Sequence, residues 1–262
     1  MRLSISNVGW TAEQDSRVYD LMKKYGFAGL EIAPTRIFPE KPYDKLKEAG
    51  KWAKDLVKRQ AFSVPSMQSI WFGRQEKVFG SEEEFQILVD YTKKAIDFAA
   101  AIDCKNLVFG CPRNRNFPES ADAVIGVKFF KEIGDYAASK GTVIGMEANP
   151  SIYNTNYIND TASAISLIKQ VDSEGFKLNL DVGTMIHNQE SVEELKGNVI
   201  LINHVHISEP GLKPIERRSL HQELKELLFA EGYSGFVSIE MGKTEDLSDL
   251  ENAMRYIGEM YE

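Results

Sequence analysis

The feature that most limits the possible folds is an alternation of short apolar, β-rich segments with longer amphipathic segments along the whole chain. We predict strands at Leu3–Asn7, Ala28–Ile32, Phe62–Gln68, Asn106–Phe109, Thr142–Glu147, Phe176–Asp181, Ile200–Ile207 and Gly235–Glu240. Helical periodicity occurs between them, at Asp15–Tyr25, Asp44–Arg59, Glu82–Ala101, Ala121–Lys140, Asp160–Gln170, Ser219–Glu231 and Asp246–Tyr261, and weakly at Glu190–Leu195. Alternating pairs of this kind predict parallel strands, because each helix returns the chain to the same edge of the sheet. Eight pairs in 262 residues predict a single (β/α)8 TIM barrel spanning residues 1–262.

Residues that favour helix ends stand at the boundaries of these segments. Gly26, Gly141 and Gly232 each follow a helical pattern, where a left-handed residue ends a helix. Ser81 and Asp160 precede helical patterns and are predicted N-caps. The first strand is not followed by a Gly-x-Gly-x-x-Gly loop, which disfavours an open dinucleotide-binding sheet, and no linker divides the chain.

Composition narrows the class of partner. The formal net charge is −8, so the chain lacks the broad positive field that attracts nucleic acids, and a small molecule is the expected partner. Two cysteines do not form a disulfide framework. No apolar run approaches the length of a membrane span, and the first residues are too polar for a signal peptide. We therefore expect a cytoplasmic protein with no membrane association.

The strongest functional pattern lies at the ends of the late strands, where parallel barrels carry their active sites. Strands five, six and eight end in Glu147, Asp181 and Glu240. Side chains alternate between the faces of a strand, and the neighbouring apolar residues face the helices, so these carboxylates point into the barrel mouth. Strand seven places His204 and His206 on the same inward face, with His206 nearer the mouth.

Three carboxylates in one mouth repel one another unless a cation binds between them. Carboxylates with one imidazole favour a single divalent ion, with Mn²⁺ preferred and Co²⁺, Mg²⁺ or Zn²⁺ as alternatives. An acidic residue at a strand end can also be a helix cap, but this interpretation is less favoured for a set from consecutive strands.

Four segments carry a resemblance to a known family: Gly145–Pro150, Asn179–Gly183, Asn203–Ile207 and Gly232–Glu240. They resemble the xylose isomerase-like barrels, in particular the sugar phosphate isomerase/epimerase branch that includes the ketose 3-epimerases. The resemblance implies that the metal ligands are Glu147, Asp181, His206 and Glu240. It also implies a carbohydrate substrate, a ketose, an aldose or a related polyol derivative. Glu147 and Glu240 would then remove and return a proton on opposite faces of the sugar, through an enediolate.

Candidate substrate contacts follow from position near the predicted mouth. They are Glu31, Gln68, Trp71, Arg115, Asn149, Thr184, Lys213 and His221. Related barrels often carry a histidine three residues after the aspartate, where this chain has Thr184. A Gly-x-Pro-Arg loop after strand four resembles an arginine-bearing loop of relatives, which makes Arg115 or Arg113 a candidate contact. Glu31 is equally consistent with a hydrogen-bonded structural acid, and His221 with a helix surface residue.

Several alternatives share this fold. A keto-inositol dehydratase or a hydroxypyruvate isomerase would use nearly the same site. Abasic-site endonucleases of the superfamily hold three zinc ions with histidines after strands three and four, where this chain has Gln68 and Gly110-Cys111. A non-catalytic sugar-binding barrel would not need two acid–base glutamates. By analogy with relatives a homo-oligomer is possible, and the identity and phosphorylation of the sugar stay open.

Overall fold

Eight parallel strands form one sheet in the computed structural model, which describes residues 1–244 and 246–261. The strands are β1 (Arg2–Ser6), β2 (Phe27–Glu31), β3 (Ser66–Met67), β4 (Asn106–Phe109), β5 (Ile144–Met146), β6 (Phe176–Asp181), β7 (Ile202–Ile207) and β8 (Phe236–Ile239). Their order is β2-β1-β8-β7-β6-β5-β4-β3, and parallel bridges join the segments of β2 and β3. The sheet is thus a nearly closed barrel, which confirms the predicted (β/α)8 TIM barrel. Of the predicted span 1–262, Glu245 and Glu262 lie outside the described residues.

The helices alternate with the strands. They are α1 (Asp15–Lys24), α2 (Pro34–Ile37), α3 (Leu46–Gln60), α4 (Glu82–Ala101), α5 (Ala123–Ser139), α6 (Thr161–Val171), α7 (Val182–Asn188), α8 (Ser219–Ala230) and α9 (Ser248–Tyr261). Short 3-10 turns occupy Asn7–Gly9, Ala12–Gln14, Pro42–Asp44, Pro112–Asn114, Ser151–Tyr153, Val192–Leu195 and Val199–Leu201. In the described ranges, no helix has both the length and the apolarity needed to cross a membrane.

The connection after β6 differs from the prediction. The weak pattern at Glu190–Leu195 forms only a 3-10 turn, and the α-helix is α7, directly after β6. Asp181 causes this early start, because its carboxylate accepts the backbone N–H of Thr184 at 2.8 Å and so caps α7.

The third strand is shorter than the predicted Phe62–Gln68. Pro65 lies within this segment and has no N–H to donate, which interrupts the ladder of hydrogen bonds to β2. The backbone N–H of Ser63 still donates to Ala28 at 3.0 Å, and that of Gln68 donates to Ile32 at 2.9 Å. These bonds close the barrel on either side of the proline.

The predicted helix ends are confirmed. Gly26, Gly141 and Gly232 have φ of 76°, 72° and 77°, the left-handed region in which glycine is favoured. The hydroxyl of Ser81 accepts the N–H three residues on at 3.2 Å, and the carboxylate of Asp160 does the same at 2.7 Å.

Between the strands and the helices lies an apolar layer rich in aromatic side chains. The rings of Phe109 and Phe130 are 4.9 Å apart edge to face, and those of Phe130 and Phe176 are stacked at 4.8 Å. Trp71 packs its edge against Phe109 at 4.7 Å. This cluster anchors β4 and the loop after β3 to α5, and so fixes two loops at the barrel mouth.

The interior of the barrel contains a run of carboxamides instead of branched apolar residues. The side-chain amide of Asn203 donates to Asn106 at 2.9 Å, Asn106 to Asn179 at 3.1 Å, and Asn179 to the carboxylate of Glu147 at 3.0 Å. We call Asn203, Asn106 and Asn179 the amide ladder. It connects the barrel floor to the first carboxylate of the mouth.

Near the floor, the Phe236 ring fills the barrel and the Arg2 guanidinium lies 4.2 Å from its centroid. Gly29 leaves the space that this ring occupies. A Cβ atom at position 29 would lie 2.7 Å from both Phe236 Cε1 and Ser4 Cβ, and 2.9 Å from Pro65 Cγ. These neighbours belong to packed strands and have little freedom to move.

Gly29→Ala is therefore expected to destabilise the fold by about 1–3 kcal/mol through overpacking. Urea unfolding followed by circular dichroism measures this as a lower midpoint. Ser166→Ala, on the exposed side of α6, is the matched control and should change stability by less than about 0.5 kcal/mol. Equal midpoints for the two variants would contradict the packing argument.

Candidate metal centre and active site

Four side chains converge at the mouth, from the ends of β5, β6, β7 and β8. Glu147, Asp181, His206 and Glu240 each offer a ligand atom, and these atoms all lie within 4.8 Å of one another. His206 Nδ1 is 3.1 Å from Glu147 Oε1 and 3.3 Å from Glu240 Oε2. We call these residues the four-residue cluster. Three hard carboxylates and one imidazole, closely spaced and nearly buried, are a donor set that fits a divalent cation.

Hydrogen bonds fix the orientation of the carboxylates. Asp181 accepts from the backbone N–H of Thr184 and from the hydroxyl of Ser208. Glu147 accepts from Asn149 Nδ2 at 3.0 Å, in addition to the bond from the amide ladder. Since these partners are themselves held by the fold, the carboxylates are oriented before any ligand binds.

Behind the imidazole lies a further carboxylate. Glu31 Oε2 is 2.9 Å from His206 Nε2 and 3.2 Å from His204 Nε2, and Glu31 is fully buried. The amide of Gln68 lies 3.0 Å from Glu31 and 2.8 Å from Glu240. Glu31 does not line the cavity described below, so the geometry supports its structural alternative over a substrate contact. It accepts the Nε2 proton of His206 and leaves Nδ1 directed at the carboxylates.

Burial and the close spacing of the charged groups shift the pKa values of the residues in the four-residue cluster. Burial and the nearby Glu147 and Glu240 raise the pKa of Asp181 to about 7, and burial also raises the pKa of Glu240. For His206, burial opposes the charge, but Glu31 and Glu240 outweigh it and raise the pKa well above its ordinary value. In the absence of a cation the cluster therefore retains protons at neutral pH, and a bound divalent ion would replace them.

A cavity of about 580 Å³ opens over the cluster. Glu147, Asp181 and Glu240 line its inner end, and the loops after β3, β4 and β5 form its walls. Gly110 keeps the inner end open, since a Cβ atom there would lie 2.7 Å from Glu147 Oε2. The volume is in the range of small-molecule sites.

Three of the predicted substrate contacts line this cavity, namely Gln68, Trp71 and Asn149. Trp71 is nearly buried and donates from Nε1 to Thr92 at 2.9 Å, so only part of its ring is available. Gln68 and Asn149 already hold carboxylates of the cluster. Their contacts with substrate stay predictions.

Other predicted contacts are placed elsewhere. Arg115 is fully buried and donates to the backbone oxygen of Glu147 at 2.8 Å and to Asn149 Oδ1 at 2.9 Å. It supports the loop after β5 and is not among the lining residues of the cavity, whereas Arg113, the other arginine considered for this contact, does line it. Thr184 is buried, with its hydroxyl 2.7 Å from Asp181, outside the lining residues.

Neither Lys213 nor His221 is among the lining residues of the cavity. Lys213 is exposed in the loop after β7. His221 lies on the buried face of α8, with Nδ1 3.2 Å from the hydroxyl of Tyr256, and burial lowers its pKa to about 4.

Sequence reasoning missed Asn179 and Ser208, which contact Glu147 and Asp181. Asn179 stands two residues before Asp181 and therefore shares its inward face, a pattern that could have identified it. Ser208 directly follows β7, and nothing in its local sequence distinguishes it from a loop residue.

Comparison with known proteins identifies the family. The family model described as xylose isomerase-like TIM barrel matches residues 19–260. The chain belongs to this family. No curated protein sequence matches it significantly.

Solved structures similar to the chain include sugar epimerases. The 3-keto-D-glucoside 4-epimerase of E. coli is 19% identical with a TM-score of 0.74, over 99% of both chains. D-Psicose 3-epimerase of Clostridium cellulolyticum H10 is 17% identical with a TM-score of 0.76, over 100% of this chain and 98% of that chain. A structure named AP endonuclease, family 2, from Brucella melitensis is 20% identical with a TM-score of 0.75, over 99% of both chains. At these identities the likeness establishes the fold.

Glu31→Gln is expected to weaken Mn²⁺ binding by about 10- to 100-fold, because the neutral amide no longer fixes the His206 ring. Titration followed by electron paramagnetic resonance of free Mn²⁺ measures the change. Glu119→Gln, at an exposed loop position, is the matched control. Affinities for the two variants within a factor of about two would contradict a positioning role for Glu31.

The affinity for Mn²⁺ is also expected to depend on pH. A bound cation must displace the protons of Asp181, whose pKa is about 7, and of His206, whose pKa is raised. Affinity should therefore fall by about tenfold or more for each pH unit below about 7, and should change less steeply above it until His206 has lost its proton. The same titration at several pH values tests this, and a flat profile from about pH 6 to about pH 8 would contradict it.

Proposed function

We propose that this protein is a divalent-metal-dependent sugar isomerase or epimerase, which moves a proton at a carbon next to a carbonyl group. One observation carries the proposal. Two glutamates of the four-residue cluster, Glu147 and Glu240, line the same cavity from β5 and β8. The similarity to sugar epimerase structures supports the proposal at the level of the substrate class.

The cation would be held by Glu147, Asp181, His206 and Glu240. When bound, it would polarise adjacent carbonyl and hydroxyl oxygens of a sugar and lower the pKa of the neighbouring C–H. We assign Mn²⁺ as the preferred ion because the donors are mainly carboxylates, with Co²⁺, Mg²⁺ and Zn²⁺ as alternatives.

Proton transfer would fall to the two glutamates. Removal of the proton by one carboxylate gives an enediolate, and return from the other side gives the epimer, while return to the neighbouring carbon gives the isomer. Asn149 holds Glu147 and Gln68 holds Glu240, each through a side-chain amide. These amides would help to orient the two carboxylates.

A three-ion endonuclease site is less consistent with this geometry. Among the described residues, the candidate metal groups are the four-residue cluster and the group Glu31, His204 and His206. The second group shares His206 with the first, and its members are buried. The two groups are therefore consistent with one ion, held by the first group and supported by the buried side chains of the second. The net charge of −8 also disfavours a nucleic-acid substrate.

Dehydration of a keto-inositol and isomerisation of hydroxypyruvate would begin with the same proton removal. A non-catalytic sugar-binding barrel would not require both glutamates in the cavity. We also propose a cytoplasmic location, which is the default expectation from the sequence. A homo-oligomeric state is proposed by analogy with relatives.

Solvent deuterium exchange tests the proposal directly. The Mn²⁺-loaded protein is incubated with a panel of ketoses and aldoses in D2O and followed by NMR. Deuterium is expected at a carbon next to the carbonyl of at least one sugar. Glu147→Gln and Glu240→Gln should each lower the rate by about 10²- to 10⁴-fold, because each removes one proton-transfer group.

Glu119→Gln serves again as the control and should leave the exchange rate unchanged. Metal analysis of the same samples should give about one ion per chain. Exchange that persists in both active-site variants would remove the glutamates from the mechanism. Three bound ions per chain would favour the endonuclease.

A further inference from the structure

The cavity extends well beyond the four-residue cluster. Its outer part lies between the loop after β3, residues 69–75, and the loop after β4, residues 110–114. We call this part the outer cavity, and its lining includes Phe72, Arg74, Gln75 and Arg113. A single sugar ring bound at the cluster would leave this volume unfilled, because the whole cavity is of the size that encloses drug-sized ligands.

Hydrogen bonds connect the two loops, so the outer cavity is a fixed feature of the fold. Asn114 Nδ2 donates to the backbone oxygen of Arg74 at 3.2 Å and to that of Glu76, just beyond the loop residues 69–75, at 2.8 Å. The backbone N–H of Val78 donates to the backbone oxygen of Asn114, also at 2.8 Å. Lys77 Nζ lies 2.5 Å from the backbone oxygen of Arg113. The walls are therefore positioned before a ligand enters.

The lining combines one flat apolar surface with hydrogen-bond donors. Phe72 is 71% exposed, an unusual position for an aromatic side chain. Arg113 is exposed, and among the described residues no carboxylate oxygen lies within ion-pair distance of its guanidinium. Arg74 differs, because Glu76 holds its guanidinium through two bonds. The outer cavity therefore offers a ring face, an amide from Gln75 and one unpaired cation.

Phe72 also borders a second cavity, of about 450 Å³, on the side of α4. Both cavities are lined by Phe72 and Arg74, and the second is also lined by Tyr91 and Lys94. The exposed phenyl ring thus stands between two adjoining depressions. This arrangement suits a ligand that extends across the ring.

We propose that the substrate is an extended saccharide: the reacting sugar lies at the four-residue cluster and a second sugar ring stacks on Phe72, within reach of Arg113. The inference rests on the proposed function for the identity of the reacting unit. A pyranose ring presents an apolar face to an aromatic side chain and hydroxyl oxygens to a guanidinium. A phosphate in the second position is less favoured, because Glu76 neutralises Arg74 and leaves Arg113 as the unpaired cation among the described lining residues of the outer cavity.

Matched ligands test this with the Mn²⁺-loaded protein. D-Fructose is compared with its glucosides isomaltulose, leucrose and turanose, and D-glucose with maltose and cellobiose, by isothermal titration calorimetry. At least one disaccharide is expected to bind about tenfold more tightly than its own monosaccharide, a gain of about 1.4 kcal/mol. Phe72→Ala and Arg113→Gln should remove most of this gain and change monosaccharide affinity by less than about twofold.

Phe229→Ala, which removes a similarly exposed ring from α8, should leave every affinity unchanged. The proposal is overturned if no disaccharide binds more tightly than its monosaccharide, or if Phe72→Ala weakens both ligands equally. D-Fructose 6-phosphate binding more tightly than every disaccharide would overturn it in favour of an anionic group.

Deuterium exchange on the same ligands separates this proposal from the proposed function. A higher affinity for a disaccharide that depends on Phe72, without deuterium exchange into any sugar, would support the extended binding site and contradict the isomerase proposal. Deuterium exchange into monosaccharides, without a higher affinity for any disaccharide, would support the isomerase proposal and contradict the extended binding site.

Discussion

Repulsion among three carboxylates at one barrel mouth is the constraint on which the rest of the site depends. Glu147 and Glu240 are nearly buried and Asp181 is partly buried, and like charges interact more strongly there than in water. His206 lies between two of them, and its raised pKa lets it offset part of their charge. The remaining imbalance is the physical basis of the divalent-cation site that we propose at this mouth.

The fold positions this cluster through buried polar side chains that bond to one another. Glu31 fixes the orientation of the His206 ring from behind, and Gln68 joins Glu31 to Glu240 through one amide. Each such group is costly to bury alone, so each is satisfied by the next. The aromatic packing around Phe109 holds the loops that carry the cavity walls. Rigid walls and oriented carboxylates are two outcomes of the same packed scaffold.

Much of this arrangement could be predicted from the sequence, because side-chain parity along a strand is a strong geometric rule. Parity correctly placed Glu147, Asp181, His206 and Glu240 together. It gives the face of a strand but not the depth at which a side chain lies or its partners. For that reason Glu31 was open between two roles, and the burial of Arg115 could not be foreseen. The early start of α7 was missed because Asp181 caps a helix as well as facing the mouth.

The hydrogen bonds of the amide ladder all run in the same direction, from the barrel floor to the mouth. Each carboxamide in it donates toward the mouth, and Asn106 and Asn179 also accept from the preceding asparagine. The last one, Asn179, donates to the carboxylate of Glu147. Because an amide cannot reverse without leaving two neighbours facing like atoms, Glu147 determines the orientation of Asn179 and, through it, of Asn106 and Asn203. Replacement of one asparagine by a residue without an amide would therefore leave its neighbours without hydrogen-bond partners. Related chains that lack one of these asparagines are expected to differ at the other two positions as well. The residues at the barrel floor would then depend on which carboxylate occupies the mouth.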